Sequence, residues 1–304
     1  MDVPHLERLS AAECRRLLPG APVGRLVVPG PTFPSVEPVS FAVVEGEVVV
    51  AVRAGSAGDA VAAGTVVAFE ADVLDRRLRQ GWSVAVNGAV EDLDADVAEL
   101  VRPLVSPWPA GAGDRLILVR SERVSGRRIV NAPEPAADEP VSPGGAVAAA
   151  VGGDRPVLTR RELTSDAALD VLRRGDQAVG RLAVSLGGEP LIFPLNFAVD
   201  GDAVVFRTEV GTKLSAIPRS LVTFEVDHLD NSGQGWAVTF EGLAQEVLDS
   251  DPASLLARID ALALDTWPGG DRPHVVRITP YAVRGTAWTP APVTAVGGGR
   301  SGAA

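Results

Sequence analysis

The chain has one cysteine, Cys14, so it can form neither an intrachain disulfide nor a cysteine-ligated zinc site. Aromatic residues make up only 5%. Basic residues are outnumbered, 28 Lys and Arg against 39 Asp and Glu, and the net charge is -11. Such a chain repels a phosphate backbone, and no basic run or aromatic-basic face offsets this, so nucleic acid is excluded as a partner. No apolar run approaches the roughly 20 residues needed to cross a bilayer. The start, MDVPHLERLS, lacks the apolar stretch of a signal peptide. These absences predict a cytoplasmic protein without a membrane partner.

The 304 residues are 46% hydrophobic, enough for two domains with real cores. Short Val-rich runs lie between Gly and Pro, which points to β structure. An internal repeat organises them. Val66–Asp75 reads VVAFEADVLD and Leu221–Asp230 reads LVTFEVDHLD, with six of ten positions identical. Val23-Gly24-Arg25-Leu26 matches Val179-Gly180-Arg181-Leu182, Gly81-Trp82 matches Gly235-Trp236, and Trp108-Pro109 matches Trp267-Pro268, all in the same order. A period this long is a duplicated domain, not a solenoid.

Each copy repeats one plan. A helix opens it, with a capping box at Ser10 and Glu13 in copy one. In copy two the helix spans Ala167 to Arg174, capped at Ser165 or Asp166. Strands follow near 23–28, 36–44, 47–52, 65–71 and 82–91, then a helix near 94–101, or 252–264 with Asp251 as its cap. A last strand lies at 115–120 or 274–278. Short antiparallel strands with two helices suggest a small closed barrel. The division is residues 1–131 and 157–288 as the two domains, 132–156 as a flexible Pro- and Ala-rich linker, and 289–304 as a disordered tail.

The stretch from Phe193 to Leu214, FPLNFAVDGDAVVFRTEVGTKL, carries the most chemistry. Alternation of Phe193, Leu195, Phe197 and Val199 predicts a strand, and Asp200-Gly201 predicts a two-residue hairpin turn. That turn sets Asn196 opposite Val205 and Pro194 opposite Arg207, so Asn196 and Arg207 share one face. Leu195, Phe197, Val204 and Phe206 share the other, core face. Gly211-Thr212-Lys213 then opens a short helix. Helix N–H groups, a hydroxyl, an ammonium and a nearby guanidinium suit a phosphate. Taken alone, the stretch favours the more ordinary reading: a Thr cap, a solvated lysine and an arginine at a strand end.

The order of VGRLAV at 179–184, PLNFAVDGDAVVFRT at 194–208, GTKL at 211–214, FEVDHLD at 224–230, GWAVTFEG at 235–242 and HVVRI at 274–278 resembles the pyridoxamine 5′-phosphate oxidase-like family, the flavin-binding split β-barrels. The resemblance covers nearly all of copy two, and copy one repeats the plan over about 6–130. It implies a mainly β protein of two tandem FMN-binding split β-barrels, packed as an intramolecular pseudo-dimer with the flavin between them. It implies that Arg207, Thr212 and Lys213, after Gly211, hold the FMN phosphate, with Asn196 and Trp236 near the flavin. A deazaflavin is compatible with the broader superfamily.

Copy one departs from this pattern. An ungapped comparison from Glu45 sets Val52 opposite Arg207 and Gly58 opposite Lys213; a shift of one residue sets Arg53 and Asp59 there. Ser40 replaces Asn196. Either comparison removes the lysine, so copy one loses its phosphate cradle and completes the groove for copy two. The repeated Arg25 and Arg181 point to structure. Asp227, His228 and Asp230 fit a turn better than a metal site, and His274 fits a satisfied structural histidine. No general acid or base stands out, which suits a cofactor-borne redox step. The expectation is an FMN-dependent oxidoreductase on a small molecule; the alternatives are a non-catalytic flavin-sensing module and a decayed barrel pair serving as an interaction protein.

Overall fold

The computed structural model describes residues 5–75, 80–105, 114–130, 158–174, 179–209, 217, 219–230, 234–262, 264 and 272–290. The two segments expected to be a linker and a tail fall outside these residues, apart from Thr289 and Pro290.

Copy one begins with β1 (His5–Leu9) and α1 (Ala11–Leu17). Ser10 and Glu13 form the expected capping box, each side chain bonded to the other residue's backbone N–H. Then come β2 (Gly24–Val28), β3 (Ser35–Val44), β4 (Glu47–Val52), β5 (Val66–Asp75), β6 (Gln80–Asp92), α2 (Ala95–Val101), β7 (Arg115–Val119) and β8 (Arg123–Val130). The sheet order is β1-β8-β6-β5-β2-β3-β4-β7, and β6 also pairs with β7. That extra pairing closes six strands, β2 to β7, into a barrel and leaves β1 and β8 outside it as an added ribbon.

Copy two runs β9 (Leu158–Leu163), α3 (Ser165–Arg174), β10 (Val179–Leu186), β11 (Glu189–Asn196), β12 (Ala198–Asp200), β13 (Ala203–Thr208), β14 (Ser220–Leu229), β15 (Gly235–Val247), α4 (Ala253–Ala261) and β16 (His274–Pro290). Its order, β11-β10-β14-β15-β16-β13-β12, with β9 on β16, repeats the first. The two ends of this order, β11 and β12, are consecutive in the chain across Phe197, so this ring closes as well. The fold is therefore two tandem barrels of the expected mainly β class. Alternation alone missed β1, β8 and β9, because these charged strands have at most one buried residue each and so no buried face to count.

Several local expectations need correction. The helix cap of α3 is Thr164, whose Oγ1 accepts from the Ala167 N–H. Asp251 does not cap α4; its carboxylate accepts from the Leu248 N–H, and Pro252 takes the cap position. β16 runs through Thr289 and Pro290, which sequence reasoning assigns to the tail. The hairpin turn is Gly201-Asp202, not Asp200-Gly201: Ala198 pairs with Val205 and Asp200 with Ala203. Only Gly201 takes a positive φ there, 66°, as a turn with glycine first requires. Asp200 is held on its strand by Arg258 and Arg277, at 2.9 and 3.3 Å.

Each barrel fills its interior with the repeated residues. Phe69 and Phe224 are fully buried at equivalent places, beside Leu26 and Leu182. The glycine of each VGRL motif makes room for the ring: a Cβ would meet the Phe69 ring at 2.2 Å from Gly24, and the Phe224 ring at 2.4 Å from Gly180. The barrels then pack on one another. Val27, Val36 and Ala68 join Ala183 and Ile192 in one buried cluster.

At the centre of the interface lie six repeated ionisable residues. Arg25 donates Nε and Nη2 to the two carboxylate oxygens of Asp227, each at 2.8 Å. Arg181 donates Nη2 to Asp72 at 2.8 Å. Each arginine thus grips the aspartate of the other copy. Each also faces its own copy's glutamate across neighbouring strands, Arg25 with Glu70 and Arg181 with Glu225. The structural role expected of Arg25 and Arg181 is the one they have.

Candidate functional site: a cleft between the barrels

Both barrels supply walls to a cleft of about 480 Å³, within the usual size for a small-molecule site. Copy two supplies β11 and β13, copy one β1, β6 and β8. β13 alternates Val204 and Phe206 into its barrel with Val205 and Arg207 on the outside, and Arg207 reaches the cleft. Asn196, at the end of β11, lines the same cleft. The shared face of Asn196 and Arg207 therefore holds although the turn was misplaced. The slip moves the pairing by two residues, and an even slip keeps every side chain on its face.

The structure treats the other expected site residues differently. Gly211, Thr212 and Lys213 lie outside the described residues. Trp236 is not part of the cleft: it sits on β15 opposite His228, with ring centres 6.2 Å apart, and packs against the core of its own barrel. Among the described residues, the tryptophan that lines the cleft is its repeat partner, Trp82. Sequence reasoning drew every site residue from copy two, whereas a groove between barrels takes its far wall from the other one. Leu6, Arg8, Asn87 and Arg127 were missed for the same reason.

Copy one shows what occupies the related positions. Aligning the turns Glu45-Gly46 and Gly201-Asp202 superposes the two hairpins, and their barrel neighbours agree. Ala51 pairs with Leu116 as Arg207 pairs with Val275. Ala51, rather than Val52 or Arg53, therefore stands where Arg207 does, and it is packed with Val49, Val101 and Val105. The comparison from Glu45 inherited the misplaced turn. Ser40 pairs with Ala51 and so matches Asn196, as expected. Asp59 accepts from the Gly55 N–H at 2.9 Å. On the far wall, registers β6–β8 and β15–β16 match Ile129 to Trp288. Ile129 lines the cleft, whereas Trp288 is buried with Val23, Ala237 and Leu158.

Among the described residues, charge in the cleft is mainly positive, from Arg8, Arg127, Arg207 and Arg272 against Glu209 and Glu70. Glu70 is fully buried, and burial, then the charge of Asp72, pushes its carboxyl up to about 8. Glu225 is pushed up by burial and by Asp227. Burial pushes Asp72 and Asp227 the same way, but the two arginines outweigh it and hold both ionised. Two guanidiniums then balance two aspartates, with both glutamates neutral. As neutral carboxyls, Glu70 and Glu225 donate to the neighbouring carboxylates of Asp72 and Asp227, which adds to the upward push.

The residues of the two histidine-bearing motifs take separate roles. Asp227 belongs to the interface, Asp230 accepts from the Gln234 N–H at 3.0 Å, and His228 lies against Trp236. His274 Nδ1 is 2.6 Å from Glu246, the satisfied histidine expected of it. Among the described residues, no helix is long and apolar enough to cross a membrane.

The pyridoxamine 5′-phosphate oxidase family model matches residues 10–128 and again 164–296. An uncharacterized protein of Mycobacterium tuberculosis is 39% identical over 131 residues, which are 40% of this chain and 84% of that protein. The solved structure of an FAD binding protein from Mycobacterium smegmatis is 33% identical, with a TM-score of 0.36, over 42% of this chain and 98% of its own. That of an FAD-binding protein from Mesorhizobium loti is 23% identical, with a TM-score of 0.37, over 44% and 99%.

Proposed function

The chain belongs to the pyridoxamine 5′-phosphate oxidase family, and on that premise we propose that its inter-barrel cleft binds one flavin, as FMN, and serves a flavin-dependent oxidoreduction of a small molecule in the cytoplasm. Arg207 and Lys213 supply positive charge to the phosphate, Thr212 a hydroxyl, and Gly211 a backbone free to approach it. Asn196 and Trp82 face the ring system. Bound flavin would carry the electrons, and the chain's own part is to bind, orient and screen it from water. The described lining of the cleft holds no histidine or cysteine, which fits that division of labour.

The observation that carries this reading is that Asn196 and Arg207 meet in one cleft whose opposite wall comes from the other barrel. A second site in the chain is disfavoured, because Ala51 and Trp288 fill the related positions. The test is the absorption spectrum of the purified protein with heat release and identification of the chromophore. About one FMN per chain is expected. Two per chain, or a colourless protein that takes up no added FMN or FAD, overturns the reading. Turnover of reduced nicotinamide by the flavin-loaded protein then tests the oxidoreductase part, and its absence with every acceptor tried leaves a flavin-binding module.

A further inference from the structure

Arg8 and Arg127 stand directly opposite one another on β1 and β8, and both line the cleft. Like charges paired across neighbouring strands repel, so the arrangement weakens the ribbon unless an anion offsets it. Among the described residues neither guanidinium has an acidic partner or a hydrogen bond. The adjacent pair on the same strands, Glu7 and Arg128, has opposite charges, as an ordinary ribbon would.

The repeat supplies a control within the same chain. The registers that match Ile129 to Trp288 also match Arg127 to Thr286, and Thr286 pairs with Glu162 on β9. Where the cleft wall carries Arg8 and Arg127, the other copy therefore carries Glu162 and Thr286. The two basic residues are present only on the wall that shares a cleft with Arg207. This is a concentration of positive charge in a chain of net charge -11.

We propose that Arg8 and Arg127 form a second anion subsite, contributed by the barrel opposite Arg207, for a second phosphate or carboxylate group in the cleft. It rests on the flavin reading in one respect: Arg207 and Lys213 are taken up by the first phosphate. The second group has two sources, the distal phosphate of a dinucleotide flavin or the acidic group of a substrate, and in both cases two guanidiniums can engage it through charge-assisted hydrogen bonds.

The test writes the other copy's residues into this wall, as Arg8→Glu/Arg127→Thr. The milder Arg8→Gln/Arg127→Gln serves if the first variant is poorly folded. FMN and FAD are titrated into flavin-free protein, and phenyl phosphate into the FMN-loaded form. Loss of charge-assisted bonds at this scale predicts a weakening of roughly tenfold or more. If FAD alone weakens, the subsite serves a dinucleotide flavin. If FMN and FAD are unchanged and phenyl phosphate weakens, it serves a substrate. No change in either arm, or an equal loss of FMN and FAD without a phenyl phosphate effect, overturns the proposal. If the wild-type chain takes no flavin, the flavin reading fails by itself. Phenyl phosphate binding, followed by the fluorescence of Trp82, then decides the subsite: binding that weakens in the variants supports it, and its absence in the wild type overturns it.

Discussion

Arg25 and Asp227, 202 positions apart, share two hydrogen bonds of 2.8 Å at the centre of the interface. Their repeat partners, Arg181 and Asp72, meet in reverse, with Arg181 Nη2 donating to both carboxylate oxygens at 2.8 and 2.9 Å. Exchange of partners between copies makes the interface part of each barrel's electrostatics: removing Asp227 takes a partner from both guanidiniums, because it also accepts from Arg181 at 3.0 Å, and leaves them sharing Asp72. Asp227→Ala should destabilise the chain by about 3–5 kcal/mol, the usual cost of breaking a buried pair. The loss on adding Asp72→Ala should depart from additivity, since the sites share partners. Urea unfolding of the single and double variants measures both. Strict additivity would show that the two pairs do not communicate.

The neutral glutamates give this interface a pH signature. Glu70 titrates near 4.5 in an ordinary setting and at about 8 when folded. Between those values the folded state binds the extra proton, so stability falls as pH rises through the window and levels off above it. Thermal unfolding from pH 5 to 9 should show the wild type losing stability faster than Glu70→Gln, which carries no titrating group there. Parallel curves for the two proteins would mean that Glu70 is ionised at neutral pH.

Gly180 tests the packing behind the repeat. A Cβ there would meet the Phe224 ring at 2.4 Å, with the Glu225 carbonyl at 3.0 Å on another side. Gly180→Ala should cost about 1–3 kcal/mol by overpacking. Phe224→Leu added to it should recover part of that loss in the same urea measurement. A stable single variant would show that the Phe224 ring can move aside.

Much of this fold was legible because the repeat prints it twice. VGRL and the FE-D motif recur since a glycine, an aromatic ring, an arginine and two acids must meet in each barrel, and the meeting is visible in the register Arg25–Glu70 and Arg181–Glu225. Periodicity placed the barrel strands, which have one buried face. It could not place β1, β8 or β9, which have at most one buried residue each. The turn at Gly201-Asp202 was misread because Asp200 looks like a turn residue until Arg258 and Arg277 are seen to hold its carboxylate. Half of the site was legible for a similar reason. Arg207 and Asn196 share a strand face, which sequence order determines, whereas Trp82, Arg8 and Arg127 enter only when the second barrel docks.

The proposed phosphate cradle has a direct test. Arg207 faces the cleft without an acidic partner among the described residues, and Arg207→Ala should weaken FMN binding by about 1.5–3 kcal/mol, the range for a hydrogen bond to a charged group. Riboflavin, which has no phosphate, should bind the variant and the wild type alike. Fluorescence titration with both ligands makes the comparison. Equal losses for FMN and riboflavin would assign Arg207 to the shape of the cleft rather than to the phosphate.

The exchange of Trp236 for Trp82 gives the sharpest distinction between a site read along one copy and a site built from two. Trp82 lines the cleft on β6, and Trp236 lies against His228 and its own barrel's core. A flavin bound in the cleft would lie near Trp82, so it should quench that indole more than the one behind β15. Trp82→Phe should therefore remove a large share of the FMN-dependent loss of tryptophan fluorescence, and Trp236→Phe little of it. Both substitutions keep an aromatic ring, so the barrels should remain folded and the comparison turns on position alone. If Trp236→Phe removes the larger share, the flavin lies on the opposite side of the interface, and the groove completed by Arg207 is not the one it occupies.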